Sequence, residues 1–242
     1  MSFEPKLLGF LCQNSADICA DFAGMEQKSY TPNFLPLRLP CLGSMDALTL
    51  LWAYYLGADG VLVVGCLPGQ CHHKFGNGIA KRRVEVIQGL LEILGIGKER
   101  LNLSWVHSSE ITKFLEIING FNENLIKMGP SPILQPRDAE TFHWMNEFRK
   151  CDQCHQCKEV CPVCFCKKCY VESFPNFGMG WLVHVMERCT GCGACKDICP
   201  QGIHLFEIVK LLQLKIPNLN TLPQSFPLPK GSEKVGAVNI TK

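Results

Sequence analysis

Two copies of one cysteine spacing dictate how the second half of this chain must wind. Cys151, Cys154, Cys157 and Cys161-Pro162 spell CxxCxxCxxxCP, and Cys189, Cys192, Cys195 and Cys199-Pro200 repeat it. Two-residue gaps let three thiolates converge on three corners of one iron–sulfur cube, while the intervening amides turn toward its sulfurs. The distant cysteine before proline then reaches the other cube. The spacing therefore predicts one 4Fe-4S cluster on Cys151, Cys154, Cys157 and Cys199, and a second on Cys189, Cys192, Cys195 and Cys161. Gly191 and Gly193 suit a backbone that must bend tightly beside a cluster. The competing reading is a pair of zinc sites, but zinc sites use CxxC pairs separated by a longer loop rather than CxxCxxC triplets.

Three thiols remain in Cys161-Pro-Val-Cys164-Phe-Cys166-Lys-Lys-Cys169. Cys164, Cys166 and Cys169 are one short of a tetrahedral set. They are a possible extra metal site with a fourth ligand such as Cys19, His155 or His184, or they are free thiols packed in the fold. His155 and His184 read as packing or solvated residues rather than ligands.

The chain has 242 residues and 16 cysteines. That density in a small secreted protein suggests disulfides. Here the amino terminus MSFEPKLLGFLC has no secretory character, so metal binding and a cytoplasmic location are expected. A net charge of +2 gives no reason to expect nucleic acid. No apolar run approaches the roughly 18 residues of a membrane span.

Residues 1–128 alternate strand and helix patterns. Lys6–Leu11, Pro36–Leu39, Gly60–Gly65 and Leu101–Val106 are short apolar runs, the third nearly continuous, as in a parallel strand covered on both faces. Between them, apolar residues recur at steps of three and four over Leu48–Tyr55, Val84–Leu94 and Ile111–Leu125. A weaker helix is expected over Ser15–Ala23. Ser44 and Ser109 are candidate caps, Gly57 and Gly95 candidate stops, and Gly76-Asn-Gly78 a loop before the second long helix. Such alternation predicts a flavodoxin-like α/β fold, a doubly wound parallel sheet. Gly129-Pro-Ser-Pro with Pro136 marks a linker over 129–145. A dicluster domain over 146–214, of bacterial-ferredoxin type, and a proline-rich extended tail over 215–242 follow.

Cys12, Cys41 and Cys66 each stand at the end of one of the first three strands, and Cys71 follows in the next loop. The carboxyl ends of parallel strands share one edge, where ligands bind. Four thiols meeting there suit a 2Fe-2S cluster or a zinc ion. Cys19, inside the first helix, reads as a buried small residue. The adjacent His72 and His73 read as exposed loop residues. No nucleotide-binding glycine pattern, flavin fingerprint or catalytic triad is present.

Several segments resemble the delta subunit of methyl-viologen-reducing hydrogenase. They are Gly9-Phe-Leu-Cys12, Ala20-Asp-Phe-Ala-Gly24, Leu39-Pro-Cys41, Gly57–Cys66, Pro68-Gly-Gln-Cys-His72, Gly76-Asn77 and the helix from Lys81 to Ile96. The resemblance implies a 2Fe-2S subunit ligated by Cys12, Cys41, Cys66 and Cys71. It implies electron transfer between a hydrogenase, formate dehydrogenase or other dehydrogenase and a heterodisulfide-reductase-like flavoprotein. Ser15 stands where family members commonly carry a second cysteine. The second half is similar to the dicluster ferredoxin domains of flavin-linked dehydrogenases, through Cys161–Cys169 and Arg188–Cys195. Together these readings predict a non-catalytic electron conduit holding two 4Fe-4S clusters and one 2Fe-2S cluster. The alternatives are a zinc-binding scaffold or assembly protein without redox activity, and a flavin enzyme.

Overall fold

The computed structural model describes residues 3–134, 143–186 and 188–216. Pro136 of the expected linker and the proline-rich tail from 217 onward lie outside them.

Four parallel strands form one sheet: β1 (Leu7–Cys12), β2 (Phe34–Leu39), β3 (Gly60–Gly65) and β4 (Leu101–Trp105), in the order β2-β1-β3-β4. Leu7 pairs with Phe34 on one side and Gly60 on the other, and Val61 pairs with Leu101. This order matches the first four strands of a flavodoxin-type sheet, whose switch point lies between β1 and β3. β3 is buried along its whole length, which explains its unbroken apolar sequence. β2 is the largely exposed edge, where Pro36 withholds a backbone donor at no cost to an inner ladder.

The helices wind both faces. α1 (Ala16–Met25) and α4 (Ile111–Met128) cover one face, over a core containing Leu7, Leu11, Leu62, Val64, Phe114 and Ile118. α2 (Ala47–Tyr55) and α3 (Gly76–Ile93) cover the other with Phe10, Val61 and Val63.

Three local expectations are corrected. α2 is capped by Asp46, whose carboxylate accepts from the Leu48 amide at 2.7 Å, because Ser44 is spent donating to the Cys41 carbonyl at 2.7 Å. Glu110, not Ser109, precedes α4, and the Ser109 hydroxyl pairs with His107 Nδ1 instead. Gly76-Asn-Gly78 is the first turn of α3 rather than a loop. Asn77 pins that turn by donating to the Cys66 and Leu67 carbonyls and accepting from the Gly78 amide. Gly57 and Gly95 end their helices as expected, at φ +96° and +72°.

The second half adds α5 (His143–Arg149), α6 (Gln156–Glu159), α7 (Phe177–Met186) and α8 (Leu205–Lys215), of which α7 and α8 pack onto the α2/α3 face and α6 packs on α7. One continuous core runs from Leu48, Leu51 and Leu90 into Phe148, Phe174, Trp181 and Leu212. The Phe174 ring sits edge-on to Trp52 and Tyr55, with centroids 5.0 and 4.9 Å away. α7 is buried along almost all its length, so it serves as the spine around which the cysteine loops are wound. At the amino-terminal edge of the sheet, buried Arg100 donates to the carbonyls of Ile96, Asp59, Gly129 and Pro130. Asp59 in turn accepts from the Lys6 and Ser131 amides. This polar knot ties strand starts together on the edge opposite the cysteines.

Candidate metal centres

At the carboxyl edge of the sheet, Cys12 ends β1 and Cys66 follows β3, on either side of the switch point. Their sulfurs are 3.5 Å apart. Cys41 follows β2, and its thiol lies within the charge field of both Cys71 and Cys66. Burial pushes the Cys12 thiol up to about 11, with Cys66 and Cys41 acting in the same direction. The four predicted thiols are thus brought together. Room for them comes from two glycines. A Cβ on Gly76 would run into the Cys41 sulfur and lie 3.3 Å from that of Cys71, while a Cβ on Gly43 would lie 2.7 Å from Gly76 Cα. The Gly43 amide donates to the Cys41 sulfur at 3.4 Å, and Arg83 clamps the loop by donating to the Gly43 and Met45 carbonyls. Thiols crowded this way become thiolates together only around a cation, so the donor set fits a metal centre. His72 is exposed as expected, with Nδ1 4.0 Å from the Cys66 sulfur. Ser15 is buried and its hydroxyl has no hydrogen-bond partner among the described residues.

In the second half the motifs cross over. Cys161, Cys189, Cys192 and Cys195 line one cavity with Pro162, Gly191 and Phe206, so the last cysteine of the first motif joins three of the second. Burial raises the Cys195 thiol to about 11, and Cys189, Cys161 and Cys192 add to it. Around the other motif, burial takes the Cys157 thiol to about 12, with Cys151 and Cys154 adding. Cys154, despite a hydrogen bond from the Gln156 amide, is raised by burial, Asp152 and the distant Cys199. The Gly178 amide donates to the Cys151 sulfur at 3.4 Å, from the first turn of α7.

Both motifs use the same backbone turns. Gly191 and Gly193 lie at φ +69° and +79°, and the matching positions of the first motif, Gln153 and His155, at +61° and +65°. A left-handed residue on each side of the middle cysteine folds the CxxCxxC loop back on itself. The first motif reaches that shape without glycine, and so was not legible from composition. His155 stacks on Phe177 with ring centroids 4.0 Å apart.

Of the three leftover thiols, Cys166 and Cys169 fall with His184 into one group whose ligand atoms all lie within 4.8 Å of one another. His184, one of the three possible fourth ligands read in the sequence, is the one that lies beside these thiols. Cys19 is excluded from this group. It is buried in the opposite core, with its sulfur donating to the His107 carbonyl at 3.3 Å.

Comparison with known proteins bears on the same elements. The sequence pattern of the methyl-viologen-reducing hydrogenase delta subunit matches residues 7–129, and that of a 4Fe-4S binding domain matches 182–203. The chain is 39% identical over 128 residues to an iron–sulfur subunit of the F420-non-reducing hydrogenase of Archaeoglobus profundus, covering 53% of this chain and 93% of that one. The corresponding iron–sulfur protein of the vhc F420-non-reducing hydrogenase from Methanococcus voltae is 38% identical over 129 residues, covering 53% and 90%. The first half also matches one component of the ferredoxin/F420H2-dependent CoB-CoM heterodisulfide reductase of Methanosarcina acetivorans. That identity is 34% over 126 residues, 52% of this chain and 16% of the reductase component. Among the described residues no helix is long and apolar enough to cross a membrane. With a delta-subunit pattern over half its length and a 4Fe-4S motif beyond it, the chain belongs to the methyl-viologen-reducing hydrogenase delta-subunit family of iron–sulfur electron-transfer proteins.

Proposed function

We propose that this protein is an electron-transfer subunit without substrate chemistry of its own. It relays electrons between a hydrogenase, formate dehydrogenase or other dehydrogenase and a heterodisulfide-reductase-like flavoprotein. The reading is supported by the approach of Cys12 to Cys66 and of Cys41 and Cys71 to Gly76 at the sheet edge, and by the cavity that Cys161 lines with Cys189, Cys192 and Cys195. Cys12, Cys41, Cys66 and Cys71 would hold a 2Fe-2S cluster. Cys151, Cys154, Cys157 and Cys199 would hold one 4Fe-4S cluster, and Cys189, Cys192, Cys195 and Cys161 the other. Bound clusters supply one-electron chemistry. The chain's own residues fix the thiolates in place, donate amide hydrogen bonds that tune potential, and keep water from the buried sulfurs. Cys161 and Cys199, each ligating the cluster of the other motif, would tie the two carboxy-terminal sites together. Docking of the second half on α2 and α3 joins it to the core beneath the sheet-edge site.

Iron and acid-labile sulfide per chain, measured on protein purified without oxygen, test the reading. About ten iron atoms are expected, and Cys192→Ala should remove about four and stop relay through the protein. Zinc with almost no iron would overturn it.

A further inference from the structure

The loop from Pro162 to Cys169 has little regular structure, yet three of its residues are cysteines used in none of the three sets. Loop segments of this kind need an anchor. Here the anchor points converge. Cys166 and Cys169 approach His184 of α7, with all three ligand atoms within 4.8 Å of one another. Cys164, Cys166 and His184 line one cavity of about 130 Å³. We propose that Cys164, Cys166, Cys169 and His184 bind a single structural zinc ion that staples this loop to α7.

The distances favour one ion over another cluster. Zinc–sulfur bonds of about 2.3 Å at tetrahedral angles set sulfurs about 3.8 Å apart, so Cys166, Cys169 and His184, within 4.8 Å of one another, close on one ion by small rotations, and Cys164 reaches it across the cavity it lines with Cys166 and His184. A cubane spreads its thiolates more widely, over the corners of a cube. A ligand set of sulfur and imidazole nitrogen in tetrahedral number is one that zinc occupies.

The surroundings are those of ligands already held in place. The Tyr170 hydroxyl lies 3.2 Å from His184 Nδ1 and fixes the ring. The Cys169 amide donates to Glu172 at 3.3 Å, and Glu172 also pairs with Lys158, which brings a positive charge toward Cys164 and Cys169. The buried indole N–H of Trp181 has no hydrogen-bond partner within normal reach among the described residues. It lies beside the Cys164 thiol, where a thiolate would accept from it. Cys19 and His155 are held elsewhere, so His184 alone of the three predicted candidates completes the set.

The consequence is positional. Cys161 begins the loop, and its thiol belongs to the set shared with the second motif. A staple three to eight residues downstream holds that cysteine in register without taking part in electron flow. The staple stands apart from the electron-transfer reading, because its readout is zinc rather than iron.

Zinc and iron are measured together on the full chain, wild type beside Cys166→Ser and His184→Ala. Metal-depleted samples are then offered one equivalent of Zn²⁺ against a chromophoric chelator. The expected result is one zinc per wild-type chain, as purified or taken up, and its loss in both variants at unchanged iron. Cys166 is exposed, so its serine variant keeps the fold. A wild-type chain that neither carries nor takes up zinc overturns the proposal. So does zinc that survives both substitutions, or iron in its place.

Discussion

Replacing Gly43 by alanine tests whether the sheet-edge site depends on a close approach of two backbones. The added Cβ would sit 2.7 Å from Gly76 Cα and 3.2 Å from its carbonyl oxygen. Carbon atoms rest about 3.5–4.0 Å apart, so the two segments must separate by roughly 1 Å. Neither contact is with a side chain that can rotate aside. Gly43 lies two residues after Cys41, and Gly76 five after Cys71, so the separation pulls two thiols of the set apart. Metal–ligand distances tolerate about 0.2 Å, so a shift near 1 Å exceeds what the site can absorb. As an overpacking change alone, the substitution would cost about 1–3 kcal/mol, which a core of this size survives.

The assay is iron and sulfide per chain, with circular dichroism to show that the fold persists. Gly43→Ala should fall from about ten iron to about eight while retaining the cubane signals. Gly78→Ala is the control, because a Cβ there meets nothing within 4 Å. A folded Gly43→Ala chain with all of its iron and an unchanged spectrum would refute the argument, since the glycine pair would then not set the site's dimensions.

Other expectations follow from the packing. Arg100→Met leaves several buried carbonyls without a donor and should cost about 3–5 kcal/mol in chemical denaturation, with iron content unchanged in the folded fraction. Phe174→Ala opens a cavity between α2 and α7 and should cost about 3–5 kcal/mol, with faster amide exchange in α7 as the direct readout. Gly191→Ala forces a side chain into a left-handed position and should cost about 1 kcal/mol, whereas Gln153→Gly should stabilise the first motif by a similar amount. Equal effects of the two changes would show that the motifs do not share their turns.

How far the sequence could be read depended on whether a residue's role was written locally. The strands were legible because β3 is apolar throughout and β2 carries its proline on an exposed edge. The helix stops at Gly57 and Gly95 were legible because a left-handed turn has a local residue signature. The start of α3 was missed because glycines argue for a loop. Only the tertiary reach of Asn77 to the carbonyls after β3 makes them helical. Convergence of Cys12, Cys41, Cys66 and Cys71 could be expected from topology, since strand ends in a parallel sheet share an edge. His184 carried no such signal. It lies in an apolar helix fifteen residues beyond Cys169, and its meeting with two thiols is set by how the turn Tyr170–Ser173, next to Cys169, packs on that helix. That turn ends at Phe174, whose ring packs on Gly180 of α7 and edge-on to Trp52 and Tyr55 of α2. What brings the leftover ligands together is thus the same aromatic packing that seats the second half on the first. For that reason Phe174→Ala should loosen the zinc proposed here while sparing the iron, a separation that simultaneous measurement of both metals would reveal.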